Sequence, residues 1–213
     1  MGLRDVLQTG LAKQLGHPSG LRGRWVGSML NNRNGRAVSA AIDLLDIQDG
    51  ETAADFGFGG GFGLVVLLGK VGERGTVHGV DISETMLAKA TKLHRSDSRF
   101  HAHAGSVTEL PLPDNSVDAA ITVNTIYFVE DLGRAFAEIA RVLAPGGRVV
   151  IGIGDPDAMS ENPVTQHGFR LRPVADVVSA LTTAGLTLEE DKLLDSSPHT
   201  VHLLVARPTP ETP

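Results

Sequence analysis

The residues best suited to chemistry in this sequence form a glycine-rich segment at positions 57–63, directly after a short apolar stretch. Glycine lets the backbone adopt positive φ and approach a ligand closely, and the helix expected next presents free N–H groups to a polar or anionic ligand. Asp81 ends the following predicted strand, where a carboxylate can accept hydrogen bonds from both hydroxyls of a ribose. We therefore expect a nucleoside-containing ligand between the glycine segment and Asp81.

Two glycine motifs compete for this segment. The dinucleotide fingerprint G-x-G-x-x-G fails, because its third glycine falls on Phe62 or Leu64. The pattern acidic-x-G-x-G-x-G holds, and its members are Asp55, Gly57, Gly59 and Gly61. The glycines alone are also typical of plain turns, but together with Asp81 they favour a ligand site, and the failed fingerprint argues against a nicotinamide dinucleotide.

Strand-like and helix-like segments alternate along the chain and position these residues. The predicted strands are 52–56, 76–81, 100–104, 117–123, 148–152, 186–194 and 200–207. The predicted helices are 36–45, 64–71, 83–94, 131–143 and 174–184. Alternation indicates a parallel sheet covered on both faces, and the last two strands are joined only by a turn. We predict an α/β fold: a Rossmann-like, seven-stranded, mostly parallel sheet with helices on both faces and one antiparallel edge strand.

The length of 213 residues and the apolar content of 41% suit one domain with a substantial core. We assign residues 1–35 to an N-terminal helical arm, which either covers the ligand as a lid or stays solvated. Residues 36–207 form the ligand-binding domain, and residues 208–213 form a flexible tail.

Composition argues against several classes of function. The chain has no cysteine, which removes disulfides, thiolate nucleophiles and cysteine-ligated zinc. A net charge of -6 without a Lys/Arg run argues against nucleic-acid binding. The N-terminus lacks the apolar region of a secretory signal, and no apolar stretch is long enough to cross a bilayer. We expect a cytoplasmic protein without a membrane span.

Five motifs follow one another between about residues 44 and 152. They are Ala54-Asp55-Phe56-Gly57-Phe58-Gly59-Gly60-Gly61, Gly79-Val80-Asp81-Ile82-Ser83 with Met86-Leu87, Gly105-Ser106-Val107, Leu110-Pro111-Leu112-Pro113-Asp114-Asn115-Ser116-Val117-Asp118, and Glu138-Ile139-Ala140-Arg141-Val142-Leu143-Ala144-Pro145-Gly146-Gly147. In this order they resemble the class I S-adenosylmethionine-dependent methyltransferases, in the branch that includes the ubiquinone and menaquinone biosynthesis type. The resemblance covers about half of the chain and implies S-adenosyl-L-methionine as the cofactor.

The resemblance also implies roles for individual residues. The motif glycines Gly57, Gly59 and Gly61 line the methionine part, Asp55 orders their loop, and Asp81 binds the ribose hydroxyls. Further cofactor positions are Phe58 in the loop, Ile82 on the adenine, Ser106 and Val107 at the adenine edge, and Asn124 near the amino group or sulfonium. Three positions depart from the family pattern. Phe58 replaces a smaller residue or Cys, and Gly60 stands where Thr or Ser is usual. Ser106 replaces an acidic residue, which removes a charge from that hydrogen bond.

On the acceptor side the sequence leaves several interpretations open. If the acceptor is a hydroxyl, His167 or Asp155 is a candidate general base, and His167 also lies in a loop suited to binding substrate. Tyr127 either walls the acceptor pocket or packs within the fold. His101 and His103 share one strand face, but without nearby carboxylates they predict no metal site.

We expect a small-molecule methyl acceptor, with O-methylation as one option and a homodimer as one assembly that the sequence allows. The alternatives left open are a nicotinamide-dependent oxidoreductase on a related fold and a non-catalytic cofactor-binding protein.

Overall fold

A computed structural model describes residues 34–166, 168–196 and 199–210. Residues 1–33 of the predicted arm, His167, the central residues of the last predicted turn (Ser197 and Pro198) and residues 211–213 of the predicted tail lie outside the described residues. Within these ranges no helix is both long and apolar enough to span a membrane.

Residues 34–44 form helix α1. The remaining helices are α2 (Phe62–Lys70), α3 (Glu84–Leu93), α4 (Leu132–Val142), α5 (Pro156–Ser160) and α6 (Val174–Thr183). The strands are β1 (Thr52–Phe56), β2 (Thr76–Asp81), β3 (Phe100–Ala104), β4 (Val117–Val123), β5 (Leu143–Gly154), β6 (Leu186–Ser196) and β7 (His199–Pro208).

The seven strands form one sheet in the order β3-β2-β1-β4-β5-β7-β6. Strands β1 to β5 pair in parallel, whereas β7 runs antiparallel to both β5 and β6. This confirms the predicted mostly parallel, Rossmann-like sheet with an antiparallel pair at one edge. The antiparallel strand β7 itself lies one position in from the edge, which β6 occupies.

The sheet separates two apolar layers. One layer packs α4 and α6 on the sheet and includes Phe136 and Leu181. The other packs α1, α2 and α3 on the opposite face and includes Leu64 and Met86. Side chains along each strand alternate between the layers, as the period of two requires. The helices on both faces hold the strand ends in place, and the glycine segment lies at the end of β1.

The passage from α4 to β5 differs from the sequence-based prediction. We expected a helix to Leu143, a turn at residues 145–147 and a strand only from Arg148. The helix instead ends at Val142, and Leu143 already pairs with Val117 across the sheet. The register shifts between Val117 and Ala119, so the Pro-Gly-Gly segment is taken up as an irregularity of the strand.

Candidate functional site

The glycine segment leaves β1 and enters α2 in a conformation that favours glycine. Gly57, Gly59 and Gly61 have φ values of +80°, +50° and +84°, in the left-handed region that other residues rarely adopt. The Gly57 N–H donates to the Val80 carbonyl of β2 at 2.8 Å, and the Gly61 N–H donates to the Phe58 carbonyl at 2.9 Å. The loop is therefore fixed to the neighbouring strand and turns back on itself before the helix begins.

Asp81 ties the glycine loop to the end of β2. Its Oδ2 accepts a hydrogen bond from the Gly59 N–H at 2.8 Å, and its Oδ1 accepts from the Ser83 N–H at 2.8 Å. Ser83 in turn caps α3 by accepting from the Met86 N–H. The structure thus brings together the two features that the sequence predicted would share a ligand, the glycine loop and the carboxylate at the second strand end.

Asp55 lies beneath the same loop, with 4% of its surface exposed. Its carboxylate packs against the first turn of α2 so closely that a Cβ built on Gly63 would lie 2.3 Å from Oδ2. Burial, and secondarily the nearby charge of Asp81, raise the pKa of Asp55 to about 8. The two carboxyl groups near the loop therefore have opposed environments, since that of Asp55 is buried and that of Asp81 accepts two backbone hydrogen bonds.

The end of β4 reaches the loop through Thr125, which sequence reasoning missed. Its Oγ1 lies 3.3 Å from the Phe56 carbonyl, 3.4 Å from that of Val123 and 3.5 Å from that of Gly57, so its single proton has these carbonyl oxygens as acceptors. A Cβ built on Gly57 would lie 2.4 Å from the same hydroxyl. Asn124 precedes it with φ of +58° and donates its N–H to the Gly152 carbonyl at 2.8 Å.

A lysine on α3 also reaches the loop and was missed. Lys89 Nζ donates to the Gly60 carbonyl at 3.0 Å. Its place on a helical face gave no signal, because a lysine there is typical of any solvated helix surface.

The predicted adenine-side residues lie on the loop between β3 and β4 and just after β2. Ile82 is 50% exposed directly after Asp81, a large apolar side chain at the site's edge. Ser106 Oγ lies 2.8 Å from Thr108 Oγ1 and accepts from the Thr108 N–H at 3.2 Å, while Val107 is buried. Phe58 is buried too and packs against Gly79, so it supports the loop from the core side.

Helix α4 clamps the β3–β4 loop. Glu138 accepts from the Leu110 N–H at 2.8 Å, and Arg141 donates to the carbonyls of Leu110 and Leu112 at 3.0 and 2.9 Å. The Arg141 guanidinium, which also pairs with Glu138, holds the pKa of that carboxyl below its usual range. This clamp fixes the segment that carries Ser106 and Val107.

Tyr127 lies on the other side of the site and is 5% exposed. Its hydroxyl donates to Asn124 Oδ1 at 3.2 Å and accepts from the Gly154 N–H. Burial raises its pKa above the ordinary value, and its ring lies 5.7 Å from that of Phe169. Tyr127 therefore joins the ends of β4 and β5 through its hydroxyl.

Asp155 follows β5 and is the N-cap of α5, accepting from the Ala158 N–H at 2.9 Å. This bond, and secondarily the neighbouring His202, lower its pKa. His202 of β7 places Nε2 3.5 Å from Asp155 and Nδ1 2.9 Å from Asp191 of β6. His202, whose partners come from other strands, was not singled out from the sequence.

Comparison with known proteins places the chain in a family. The family model described as "Methyltransferase domain" matches residues 54–151, which include the loop, Asp81 and Asn124. An uncharacterized methyltransferase of Bacillus subtilis, YdaC, is 30% identical over 139 residues, which cover 65% of this chain and 75% of that protein. The chain belongs to the methyltransferase family. The predicted resemblance to S-adenosylmethionine-dependent methyltransferases is thereby confirmed.

Other relatives of this methyltransferase are longer or more distant. The chain is 35% identical over 109 residues to a demethylmenaquinone methyltransferase of Bacillus licheniformis, and the matched residues cover 51% of this chain and 47% of that relative. It thus spans about half the length of that relative, and only 35% of a Streptomyces fradiae protein that is 38% identical. A Haloferax volcanii methyltransferase, solved with the Trm112 activator, has the same fold with a TM-score of 0.78 at 19% identity, covering 95% and 98% of the two chains.

The methyltransferase carries a group of histidines away from the loop. His101 and His103 of β3 share a face with His78 of β2, and His78 Nδ1 lies 3.0 Å from His103 Nε2. Burial lowers the pKa of His78 to about 4. Across the described ranges no cluster of three or more ligand side chains is arranged to hold a metal.

Proposed function

We propose that the chain transfers a methyl group from S-adenosyl-L-methionine to a small-molecule acceptor. The observation that carries the proposal is the hydrogen bond from the Gly59 N–H to the Asp81 carboxylate. Through this bond the glycine loop and the carboxylate belong to the same site. A Cβ built on Gly59 or Gly61 would meet the nearest described atom only at ordinary van der Waals distance, 4.0 and 3.8 Å. The bare backbone of the loop, bonded to the Asp81 carboxylate, fits the cofactor.

In this proposal Asp81 accepts hydrogen bonds from the ribose hydroxyls. A carboxylate has about four lone-pair positions, so its bonds to two backbone N–H groups are compatible with that role. Ile82 packs on the adenine, and Ser106 and Val107 lie at its edge on the loop that α4 clamps. Gly57, Gly59 and Gly61 face the methionine part, with Asn124 at the end of β4 beside it.

The cofactor, when bound, supplies the electrophilic methyl group. The chain's own residues have to hold donor and acceptor in line and exclude water, since alignment accounts for much of the rate in such a displacement. Tyr127 serves this by fixing the ends of β4 and β5 against each other through Asn124 and Gly154.

For the acceptor we propose a small molecule, which the relative named for demethylmenaquinone supports, and a hydroxyl group as its acceptor atom. Asp155 and His167 remain the proposed catalytic residues. To them we add His202, because its Nδ1 is held by Asp191 and its Nε2 is directed towards Asp155. Asp191 thereby orients the imidazole, and the second ring nitrogen lies beside the carboxylate of Asp155.

The experiment that tests the proposal is calorimetry with S-adenosyl-L-methionine, S-adenosyl-L-homocysteine and NAD. We expect heat from the first two ligands only. Asp81→Asn should weaken their binding about tenfold or more, since hydrogen bonds to a charged group contribute about 1.5–3 kcal/mol. Asp43→Asn is the matched control, because Asp43 is 65% exposed and pairs only with Lys70 among the described residues. Binding of NAD without either adenosyl ligand would refute the proposal.

Incubation with a labelled methyl donor and a metabolite extract separates an enzyme from a non-catalytic cofactor-binding protein. An enzyme transfers label to a small molecule, whereas a binding protein transfers none while still giving heat with the cofactor. The cytoplasmic location and the homodimer stay predictions, which imaging of a tagged chain and light scattering would test.

A further inference from the structure

A single 3₁₀ turn, Ile126–Phe128, follows the end of β4 and carries the only tyrosine of the chain, Tyr127. A turn of this length is not stable by itself, because it closes few hydrogen bonds of its own and their geometry is poor. It begins shortly after Asn124, whose φ of +58° is uncommon for a residue other than glycine. Contacts from elsewhere in the chain therefore have to hold Tyr127 in one place.

The segment 169–172, which lies between α5 and α6, supplies these contacts. The Arg172 guanidinium donates hydrogen bonds to three backbone carbonyls of the turn and of the residues after it. They are those of Ile126 at 3.2 Å, Val129 at 2.7 Å and Glu130 at 3.1 Å. The Arg170 N–H donates to the Tyr127 carbonyl at 2.9 Å. Two residues of the segment thus bind the carbonyls on both sides of Tyr127 and that of Tyr127 itself.

The bonds of Arg172 depend on the shape of a guanidinium. Its N–H groups lie in one plane, and Nη1 also donates to the Arg170 carbonyl at 3.3 Å. Among the described residues Arg172 forms no ion pair, and the charge that acts on it is the like charge of Arg170. A lysine has the same charge but a single nitrogen on a flexible stem, so it cannot reach several carbonyls at once. Arg172 therefore acts through its planar set of donors.

Tyr127 passes its position on to the ends of β4 and β5. Its hydroxyl donates to Asn124 Oδ1 at 3.2 Å and accepts from the Gly154 N–H, and its ring lies 5.7 Å from that of Phe169. We propose that Arg172 is a positioning residue for methyl transfer, because it fixes the turn, the Tyr127 hydroxyl and, through that hydroxyl, Asn124. The inference rests on the proposed function, in which Asn124 lies beside the methionine part of the cofactor.

The first test compares Arg172→Met with Arg170→Met, which removes an exposed ion pair with Glu130 and keeps the backbone N–H. Ultraviolet titration of tyrosinate reports on Tyr127 alone, since the chain has one tyrosine. Burial raises the pKa of Tyr127 above the ordinary value of about 10. At about pH 10 the unaltered chain and Arg170→Met should show almost no tyrosinate, whereas Arg172→Met should be about half ionised. Circular dichroism at each pH checks that the chains are folded.

The second test measures the initial rate of label transfer from S-adenosyl-L-methionine to a metabolite extract, beside calorimetry with S-adenosyl-L-homocysteine. Arg172→Met should lower the rate about tenfold or more, because a small misplacement of aligning groups can cost about a hundredfold. Binding of S-adenosyl-L-homocysteine should persist, since the glycine loop and Asp81 are unaltered. Arg172→Lys should not restore the rate. Tyr127→Phe, which deletes only the hydroxyl, should lower the rate as well, and its loss should not add to that of Arg172→Lys.

The outcomes separate this inference from the proposed function. An unchanged tyrosine titration in Arg172→Met overturns the inference, since Arg172 would then not hold Tyr127. A freed tyrosine with the rate of Arg170→Met also overturns it, and both results leave the proposed function standing. If Arg172→Met does not fold, strictly additive losses for Arg172→Lys and Tyr127→Phe overturn the inference instead. Absence of S-adenosyl-L-homocysteine binding and of label transfer in the unaltered chain overturns the proposed function, and the inference with it.

Discussion

Replacing Gly57 by alanine should reveal how tightly the glycine loop is held against the end of β4. The substitution places a side chain at φ of +80°, which costs about 1–2 kcal/mol for an L-residue. Its Cβ would also lie 2.4 Å from Oγ1 and 2.5 Å from Cγ2 of Thr125, and overpacking of this kind costs about 1–3 kcal/mol. We therefore expect Gly57→Ala to destabilise the cofactor-free chain by about 2–5 kcal/mol.

Gly59→Ala is the matched control, since it shares the loop and the positive φ but not the contact. Its φ is +50°, and the nearest described atom to a Cβ lies at 4.0 Å, so only the strain of about 1–2 kcal/mol applies. Urea unfolding measures both free energies. Thr125→Ala removes the two clashing atoms, so in a double-mutant cycle it should recover about 1–3 kcal/mol of the Gly57→Ala cost.

Two results would refute this reasoning. One is an equal loss of stability in the two alanine variants, which would mean that the contact with Thr125 carries no cost. The other is strict additivity of Gly57→Ala and Thr125→Ala, because atoms that truly clash have to show a coupling energy. Either result would mean that the loop and the end of β4 are not packed together as described.

Three further predictions concern stability and the clamp. Arg148→Met should destabilise the chain by about 3 kcal/mol, because the buried guanidinium of Arg148 pairs with a glutamate and donates to three backbone carbonyls. Arg74→Met breaks an exposed ion pair and should change nothing measurable in thermal unfolding. Equal effects of the two substitutions would contradict the difference in burial. Glu138→Gln should weaken S-adenosyl-L-homocysteine binding several-fold in calorimetry, because it loosens the β3–β4 loop. Glu109→Gln should not weaken binding, since the Glu109 side chain on the same loop is 83% exposed. Unchanged affinity in both variants would mean that the clamp has no part in the site. The raised pKa of Asp55, about 8 against 3.8, contributes stability that is fully present below about pH 4 and is lost as pH rises to 8. The cofactor-free chain should therefore lose stability to urea over that window, and Asp55→Asn should flatten the loss. A loss of the same size in that variant would assign it to other groups.

Much of the fold follows from the sequence because local patterns are decisive in it. The alternating period of two and of 3.6 residues predicted all seven strands and the helices that cover the sheet. The position of β7 between β5 and β6 was not predicted, since strand order depends on pairing between distant segments and leaves no local pattern. The start of β5 at Leu143 was missed for a related reason: Pro145 and Gly146 are typical of a turn, and only the pairing of Leu143 with Val117 shows that the strand begins before them.

The residues of the candidate site also fall into those that the sequence predicted and those that it did not. The glycine loop and Asp81 were predicted because a motif and a strand end, both local, place them together. Thr125 and Lys89 reach the loop from elements that are 68 and 29 residues away, and neither residue type marks such a contact. His202 was not predicted as a site residue, because its carboxylate partners, Asp155 and Asp191, are neighbours only across the sheet.

The place of β7 in the sheet sets an order for assembly. Strand β6 precedes β7 in the chain, yet it touches β5 nowhere in the sheet order and is joined to the rest of the sheet only through β7. While the chain emerges from the ribosome, β5 therefore has an open edge of unpaired backbone groups until residues 199–208 arrive, and such edges invite pairing with other chains. Among the described strands, the one that comes last along the chain closes this gap, so a nascent chain stalled before it would be exposed to aggregation although its glycine loop is already complete.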